Sequence, residues 1–234
     1  MTPAIDVIHE NDDLLVLNKP ANVALLADRS GAPCYWDALK QALGDRQPYL
    51  VHRLDKGTSG VLLVALRQEV QRELTRAFQQ STVRKFYVAW VVGSLALSST
   101  HTIDLPLRRG RKSRFRVAGP REHIRRQGQR WCLTEPDTDG HAAITRLRTL
   151  SEGDGRSLLL LAPRTGRSHQ LRVHLSWVGY PIVGDHLYGR PADPLQRADR
   201  LQLHCHRLVV PVYGTFRAPV GRDWLGHPAE GEGD

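Results

Sequence analysis

Short apolar runs and alternating apolar positions along the chain predict many strands and few helices. The predicted strands are residues 14–17, 61–66, 86–92, 102–105, 143–150, 158–162 and 201–210. Apolar residues at helical spacing predict helices over residues 35–43, 70–78 and 168–178, and Ser168 is the expected cap of the third one. Because strands do not alternate strictly with helices, the pattern favours an α+β fold on a mixed, mainly antiparallel sheet with flanking helices.

The 234-residue chain shows no repeat and no long linker, so we expect one domain over residues 1–225. Residues 226–234 are acidic and contain glycine, and we expect them to form a disordered tail. The longest apolar runs fall far short of the roughly 18 residues that span a bilayer, and no signal peptide opens the chain. A cytoplasmic protein without membrane contact is therefore expected.

The net charge of +9 is concentrated in one stretch. Residues 108–130 contain ten basic residues and one acidic residue, so this stretch alone accounts for the whole excess. Arginines outnumber lysines by 28 to 5, and a guanidinium matches phosphate with two parallel hydrogen bonds. Biased codon usage explains the preference for arginine but not its concentration. Nucleic acid is the favoured partner, with a solvated surface loop as the alternative.

Cysteines and histidines give little support to a disulfide or metal site. The three cysteines, Cys34, Cys132 and Cys205, lie far apart and form no C-x-x-C pair. A possible metal set comprises His169, His174, Asp185, His204 and His206. Its spacing lacks the zinc patterns that would be diagnostic, so we expect no metal.

The segment HRLDKGTSG, residues 52–60, comes directly before an apolar strand. Its glycines, threonine and serine describe a tight turn that presents side chains at the end of a sheet. Asp55 is the residue of chemical interest, because a carboxylate serves as a nucleophile or a base. The alternative is that Arg53 and Asp55 form an ion pair that only stabilises the turn.

Two further groups of residues are candidates for a functional site. Arg167 stands just before the third predicted helix, where an anion meets both the guanidinium and the positive end of the helix dipole. A surface arginine without function is the alternative. Lys85 and Tyr87 alternate along a predicted strand and therefore project from the same face.

Taken together, these motifs resemble the RluA family of pseudouridine synthases. The resemblance rests on HRLDKGTSG (52–60), KFYVA (85–89), TGRSHQLRVH (165–174), GDHLYG (184–189) and LH (203–204), in the family's order. It covers about residues 5 to 219. The resemblance implies the pseudouridine synthase fold with a central active-site cleft, and the isomerisation of a specific uridine in rRNA, tRNA or both, without metal or organic cofactor.

The resemblance also implies the roles of individual residues. Asp55 matches the catalytic aspartate, Tyr87 the active-site tyrosine, and Arg167 the arginine that pairs with the aspartate. Contacts to the substrate are expected from His52, Arg53, Lys85 and Leu203. We further expect a basic arm to lie on the RNA backbone through Arg108, Arg109, Arg111, Lys112 and Arg114.

Departures from the family pattern bear on the substrate. The resemblance starts at about residue 5, so no S4 RNA-binding domain is expected ahead of it. We also expect a monomer. The S4-free branch that acts on tRNA anticodon stem-loops and 23S rRNA is the most similar one. Cys205 stands where the family usually has alanine. Two alternative functions remain, a catalytically silent RNA-binding protein on the same fold and a metal-dependent nuclease.

Overall fold

The computed structural model describes residues 2–28, 31–111 and 114–225, so the expected tail over residues 226–234 lies outside the described residues. The chain forms two compact units, one of residues 1–85 with 203–234 and one of residues 86–202. The single domain over residues 1–225 stays a prediction. In the described part of the chain, no helix combines the length and apolar character needed to cross a membrane.

The elements of the fold mix many strands with few helices. In chain order, the strands are β1 (Val7–Glu10), β2 (Leu14–Lys19), β3 (Tyr49–Leu50), β4 (Ser59–Ala65), β5 (Arg84–Val92), β6 (His101–Asp104), β7 (Leu107–Arg109), β8 (Phe115–Val117), β9 (Ile124–Gln127), β10 (Arg130–Leu133), β11 (Ile144–Gly153), β12 (Arg156–Pro163), β13 (Leu203–Val210) and β14 (Gly214–Arg217). The helices are α1 (Tyr35–Leu43), α2 (Gln68–Gln79) and α3 (Gln170–Trp177). This composition confirms the predicted α+β class.

The first unit is built around β4, every residue of which is buried. β2 pairs with β4 in antiparallel register, and β13 pairs with β4 in parallel register, so this sheet is mixed. α1 covers one face and packs Tyr35 and Leu39 into a core with residues of β2 and β4. A fully buried strand reads as a continuous apolar run, which is why β4 is evident in the sequence.

The second unit forms a sheet in the order β5-β12-β11-β6-β10-β9, with β7 and β8 as a separate hairpin. Its pairs are antiparallel except for β6 with β10, which run parallel. Along β12, Ser157, Leu159 and Leu161 are buried, so alternate positions face the core. The predominance of antiparallel pairs agrees with the sequence prediction.

The third helix begins later than predicted. α3 starts at Gln170, and its cap position is His169 in the left-handed conformation at φ 56°, with no side-chain cap bond. The predicted cap at Ser168 is therefore wrong. The Gln170 side chain accepts the Arg167 N–H instead, at 3.0 Å, so a residue inside the helix does the capping.

Candidate active site

The turn between β3 and β4 presents Asp55. Leu54 is buried, Arg53 is exposed and Asp55 is half-buried, so the two charged side chains flank an apolar anchor. The Thr58 N–H donates to the Asp55 carbonyl at 3.0 Å and closes the turn. Lys56 forms an ion pair with Asp28 at 3.2 Å. The backbone that carries the carboxylate is thus held from within the turn and from a neighbouring loop.

Behind this turn, β4 and β13 approach each other closely. Gly60 has φ +110°, and a Cβ there would lie 2.3 Å from the Cys205 carbonyl oxygen. Ser59 Oγ and His204 Nδ1 are 2.8 Å apart, and His204 Nε2 lies 3.1 Å from the Ala218 carbonyl. Both ring nitrogens of His204 are therefore engaged, and Leu203 is buried beside them at the start of β13.

His52 supports the same turn from inside. Its Nε2 accepts the Leu63 N–H at 2.9 Å, and its ring stacks on Phe78 at a centroid distance of 4.5 Å. Burial, and then the charge of Lys85, lower the pKa of His52 to about 3, so the ring is neutral at neutral pH. These contacts give the ring a scaffolding role, and its contact with substrate stays a prediction.

Lys85 and Tyr87 both lie on β5 and are both half-buried. Burial lowers the pKa of Lys85, and the Cys205 thiol opposes that shift. Tyr87 pairs with Leu161 of β12. Because β5 and β12 are antiparallel, Tyr87 lies near the edge of the sheet at which β12 ends, and Arg167 follows four residues after that end. The second unit thus brings Tyr87 and the Arg167 turn to the same sheet edge.

The turn that carries Arg167 is fixed by Gln170, a residue that sequence analysis did not identify. The side-chain oxygen of Gln170, Oε1, accepts from Thr165 Oγ1 at 2.7 Å and from the Arg167 N–H at 3.0 Å. Its amide nitrogen donates to the Ile144 carbonyl and to Thr145 Oγ1, both at 3.0 Å. All hydrogen-bonding positions of this buried amide are used. In the sequence, the only sign of this role of Gln170 is its position in the first turn of the third predicted helix.

Arg167 itself is exposed, although its side chain is anchored at one point. The Arg167 Nε donates to the Ala142 carbonyl at 3.2 Å, which directs the guanidinium along the surface of the second unit. The backbone and the side chain of Arg167 are therefore both held, and an arginine fixed in this way is suited to bind an anion.

The loop from Gly184 to Gly189 is organised by a buried ion pair. Arg172 donates to both carboxylate oxygens of Asp185, at 2.8 and 2.7 Å, and the Asp185 side chain is fully buried. One oxygen of Asp185 also accepts the N–H groups of Leu187 and Tyr188. Asp185 therefore has a structural role in the fold of this loop.

Two other histidines considered as ligands, His169 and His174, are also engaged, and Nδ1 of His169 lies 2.8 Å from the Tyr188 hydroxyl. His174 lies 3.0 Å from Thr145 Oγ1 through Nδ1 and 2.9 Å from the Leu105 carbonyl through Nε2. Burial lowers the pKa of His174 to about 4. Within the described residues, no group of three or more histidine, cysteine or acidic side chains is arranged to hold a metal ion.

The basic segment 108–130 is folded, although no regular elements were predicted there. It forms β7, β8, β9 and the start of β10, and several of its arginines have acidic partners. Arg108 forms ion pairs of 2.9 Å with both Asp137 and Asp139, and Arg130 pairs with Asp104. Short strands and ion pairs therefore fix the described part of this segment, and its contact with the RNA backbone stays a prediction.

Three other arginines of the β7–β8 hairpin are exposed at its turn. The turn is closed by the Gly110 N–H, which donates to the Arg114 carbonyl at 2.7 Å. Arg109, Arg111 and Arg114 surround it, and all three are exposed. We call these three residues the basic tip. Lys112, the remaining predicted RNA contact, lies outside the described residues.

A family model and curated relatives match the chain along most of its length. The model described as RNA pseudouridylate synthase matches residues 13–177. A dual-specificity RNA pseudouridine synthase RluA of Yersinia pestis is 36% identical over 214 residues, which cover 89% of this chain and 94% of the relative. The RluA of Escherichia coli K12 is 34% identical, with 93% and 94% covered.

Solved structures give the same result for the fold. Human RNA pseudouridylate synthase domain containing 1 is 27% identical, with a TM-score of 0.75 over 94% of this chain and 86% of that chain. Human RNA pseudouridylate synthase domain containing 4 is 25% identical, with a TM-score of 0.75 over 93% and 89%. These similarities confirm that the chain has the pseudouridine synthase fold.

Proposed function

Because this chain belongs to the RluA family of RNA pseudouridine synthases, we propose that it isomerises one or a few specific uridines in rRNA, in tRNA or in both. Relatives that match nearly their whole length are named dual-specificity enzymes, which supports more than one class of RNA substrate. The observation that carries the proposal is Asp55, a half-buried carboxylate in a braced turn of the HRLD motif.

Asp55 is the catalytic carboxylate of this proposal. Breaking the bond between C1′ and N1 develops positive charge on the ribose, which a carboxylate stabilises or traps covalently. The freed uracil then turns and forms a bond from C5 to C1′. C5 loses its proton and N1 gains one, so the product is an isomer of the substrate and no redox partner is required.

Tyr87 and Arg167 serve the same reaction. The flat ring of Tyr87 stacks on the base, and its hydroxyl is the candidate acceptor of the C5 proton. Arg167 supplies a fixed positive charge. The pairing of its guanidinium with the Asp55 carboxylate stays a prediction. A double-mutant cycle of Asp55→Asn and Arg167→Gln tests it, because the losses in kcat caused by two residues that act as one pair do not multiply.

Arg53 and the basic tip contact the RNA. A uridine inside a stem must leave its stack before chemistry. Arg53 is exposed two residues from Asp55, which suits it to contact the extruded nucleotide or to fill the gap that it leaves. Arg109, Arg111 and Arg114 bind backbone phosphates. We leave Arg108 out of the phosphate-binding set, since two carboxylates already occupy its guanidinium.

Contacts with the flipped nucleotide are also proposed for Lys85 and Leu203. Lys85 is half-buried on the same face of β5 as Tyr87, from which its amine can donate a hydrogen bond to the nucleotide. Leu203 is buried at the start of β13, next to the strand that follows the Asp55 turn, and it offers an apolar surface.

Mapping of pseudouridine on total RNA from a deletion strain tests the function. We expect one or a few sites to disappear and to return when the strain is complemented with the wild-type gene. Complementation with Asp55→Ala is expected to restore none of them. Asp154→Asn is the matched control, because Asp154 is an exposed turn residue at φ 52°, a conformation that asparagine tolerates. Sites restored by Asp55→Ala would rule out the carboxylate as catalyst.

A further inference from the structure

The hydroxyl of Tyr188 joins two parts of the second unit. It accepts the Phe115 N–H of β8 at 2.9 Å, and it lies 2.8 Å from Nδ1 of His169. A hydroxyl accepts and donates at once, so one atom serves both partners. One partner belongs to the basic hairpin and the other to the turn that carries Arg167.

On the hairpin side, Phe115 follows Arg114 of the basic tip directly. Arg109, another residue of the tip, pairs with Phe115 across the hairpin. The Phe115 ring also meets the His169 ring edge-on at a centroid distance of 5.6 Å. The bond from Phe115 to Tyr188 therefore fixes the backbone from which the tip arginines extend.

On the turn side, His169 stands two residues after Arg167 and adopts φ 56°. A non-glycine residue in this region is strained and persists only where its surroundings hold it. Gln170, the next residue, binds the Arg167 N–H. Tyr188 thus acts on the same short turn that fixes the backbone of Arg167.

Tyr188 is itself firmly held. Its N–H donates to Asp185 at 3.1 Å, and its carbonyl accepts from Ser176 Oγ at 2.7 Å. The guanidinium of Arg172 lies over its ring at 5.1 Å. Because the backbone and the ring of Tyr188 are held, its hydroxyl keeps Phe115 and His169 in a fixed position relative to each other.

We propose that Tyr188 is a positioning residue that couples the basic tip to the Arg167 turn. A phosphate bound at Arg109, Arg111 and Arg114 is thereby held in a fixed position relative to Arg167. This inference rests on the proposed function of the tip and of Arg167. Binding of RNA at the tip then contributes to the rate of isomerisation, and not to affinity alone.

A double-mutant cycle on purified full-length protein tests the coupling. The probe is a stem-loop transcript that contains the uridine mapped in the deletion strain. Tyr188→Phe removes only the hydroxyl. We expect kcat at saturating RNA to fall about tenfold, since small misplacements of reacting groups are costly, while the Kd of the transcript changes less than about twofold. Dissociation constants are measured in an Asp55→Asn background.

The second arm of the cycle replaces the three tip arginines by alanine. In the wild-type background we expect a loss in both affinity and kcat. In the Tyr188→Phe background, the loss of affinity is the same but kcat falls no further, because the tip no longer positions the uridine. Tyr213→Phe is the matched control, since it removes a hydroxyl bonded to Glu73 at 2.9 Å in the first unit, and its kcat should equal the wild-type value.

Two outcomes overturn the inference. One is a wild-type kcat for Tyr188→Phe. The other is that the fold-losses in kcat caused by Tyr188→Phe and by the tip substitutions multiply in the combined variant. Independent losses of this kind are what a general loss of stability would give. Failure of the proposed function is distinct from both, because wild-type protein would then form no pseudouridine in the same transcript.

Discussion

Several histidines serve here as hydrogen-bonding groups inside the fold. His52, His174 and His204 each have ring nitrogens engaged by backbone or hydroxyl groups. Desolvation penalises the charged form of such rings, which explains the lowered pKa values of His52 and His174. These rings therefore have a structural role, which is consistent with the proposal that Asp55, Tyr87 and Arg167 carry out the catalysis.

The neutral state of His52 makes stability depend on pH. The folded pKa is about 3, below the ordinary value of 6.5. Between these values the unfolded chain binds a proton that the folded protein does not, so stability is lost as the pH falls. The loss approaches about 1.4 kcal/mol per pH unit for this residue.

His52→Gln tests this dependence. The glutamine oxygen can accept the Leu63 N–H but does not titrate. We expect urea unfolding curves of the variant to lose less free energy between pH 7 and about pH 5 than those of the wild type. Equal losses in the two proteins would show that His52 does not carry the effect.

A second prediction at the scale of single residues concerns Asp185. Asp185→Asn leaves the buried Arg172 charge without its counter-ion, so we expect a loss of about 3 kcal/mol in the free energy of unfolding. Asp193→Asn is the control, because Asp193 only caps a short 3-10 turn through an N–H that asparagine also accepts. Similar urea midpoints for the two variants would contradict the structural role of the ion pair.

Among the elements, the pair of β4 and β13 brings the turn of Asp55 next to Leu203. The parallel strands meet at Ser59 and Gly60, where the second glycine of the HRLDKGTSG motif leaves room for the Cys205 backbone. The glycine is therefore required by close approach as well as by its positive φ.

Gly60→Ala and Gly214→Ala separate these two requirements. Gly60 has φ +110° and Gly214 φ +108°, but a Cβ on Gly214 would meet no atom within 4 Å. Both variants incur backbone strain of about 1–2 kcal/mol. Gly60→Ala should cost roughly 1–3 kcal/mol more through the clash with Cys205. Equal urea unfolding midpoints would refute the close approach.

Elements with a strong apolar pattern are predictable from the sequence. α1 was predicted at its observed bounds, and β4 within two residues of them. The start of α3 differs from the prediction because the Gln170 side chain binds the Arg167 N–H three residues earlier, and a glutamine in the first turn is a weak signal for a cap. The strands of the basic segment were missed because they are short and rich in arginine, and ion pairs with distant acids such as Asp104 and Asp137 stabilise them.

The candidate site was predictable in part for the same reason. Asp55, Tyr87 and Arg167 lie in motifs that are continuous in sequence. The support from Gln170 and Tyr188 depends on side chains meeting across loops, so spacing alone did not reveal it. In the sequence alone, Arg108 groups with the tip arginines, because its partners Asp137 and Asp139 lie about thirty residues further along the chain.

At the scale of the whole molecule, the net charge is unevenly distributed between the two units. The second unit contains 19 lysines and arginines against 10 acidic residues, which equals the entire net charge of +9. An RNA-binding function therefore draws its electrostatic attraction from the second unit.

Replacing the basic tip should weaken RNA binding in a salt-dependent way. Each phosphate contact contributes about 0.7–0.9 to the slope of log affinity against log salt, so loss of all three arginines should reduce the slope by about 2–3. A control of equal charge replaces Arg72, Arg76 and Arg217, which are exposed in the first unit. Fluorescence titrations with stem-loop RNA at several salt concentrations measure both. Equal slopes for the two triple variants would remove the tip from the RNA-binding surface.

The most direct test of the central claim is the single-turnover rate of pseudouridine formation by purified wild type and Asp55→Asn on the same stem-loop transcript. Asparagine keeps the size of the side chain but cannot stabilise the ribose cation or attack it. The rate should fall by about a thousandfold or more, while RNA affinity changes less than about threefold. An asparagine variant that binds RNA normally and keeps more than about a tenth of the wild-type rate would contradict the assignment of Asp55 as the catalyst.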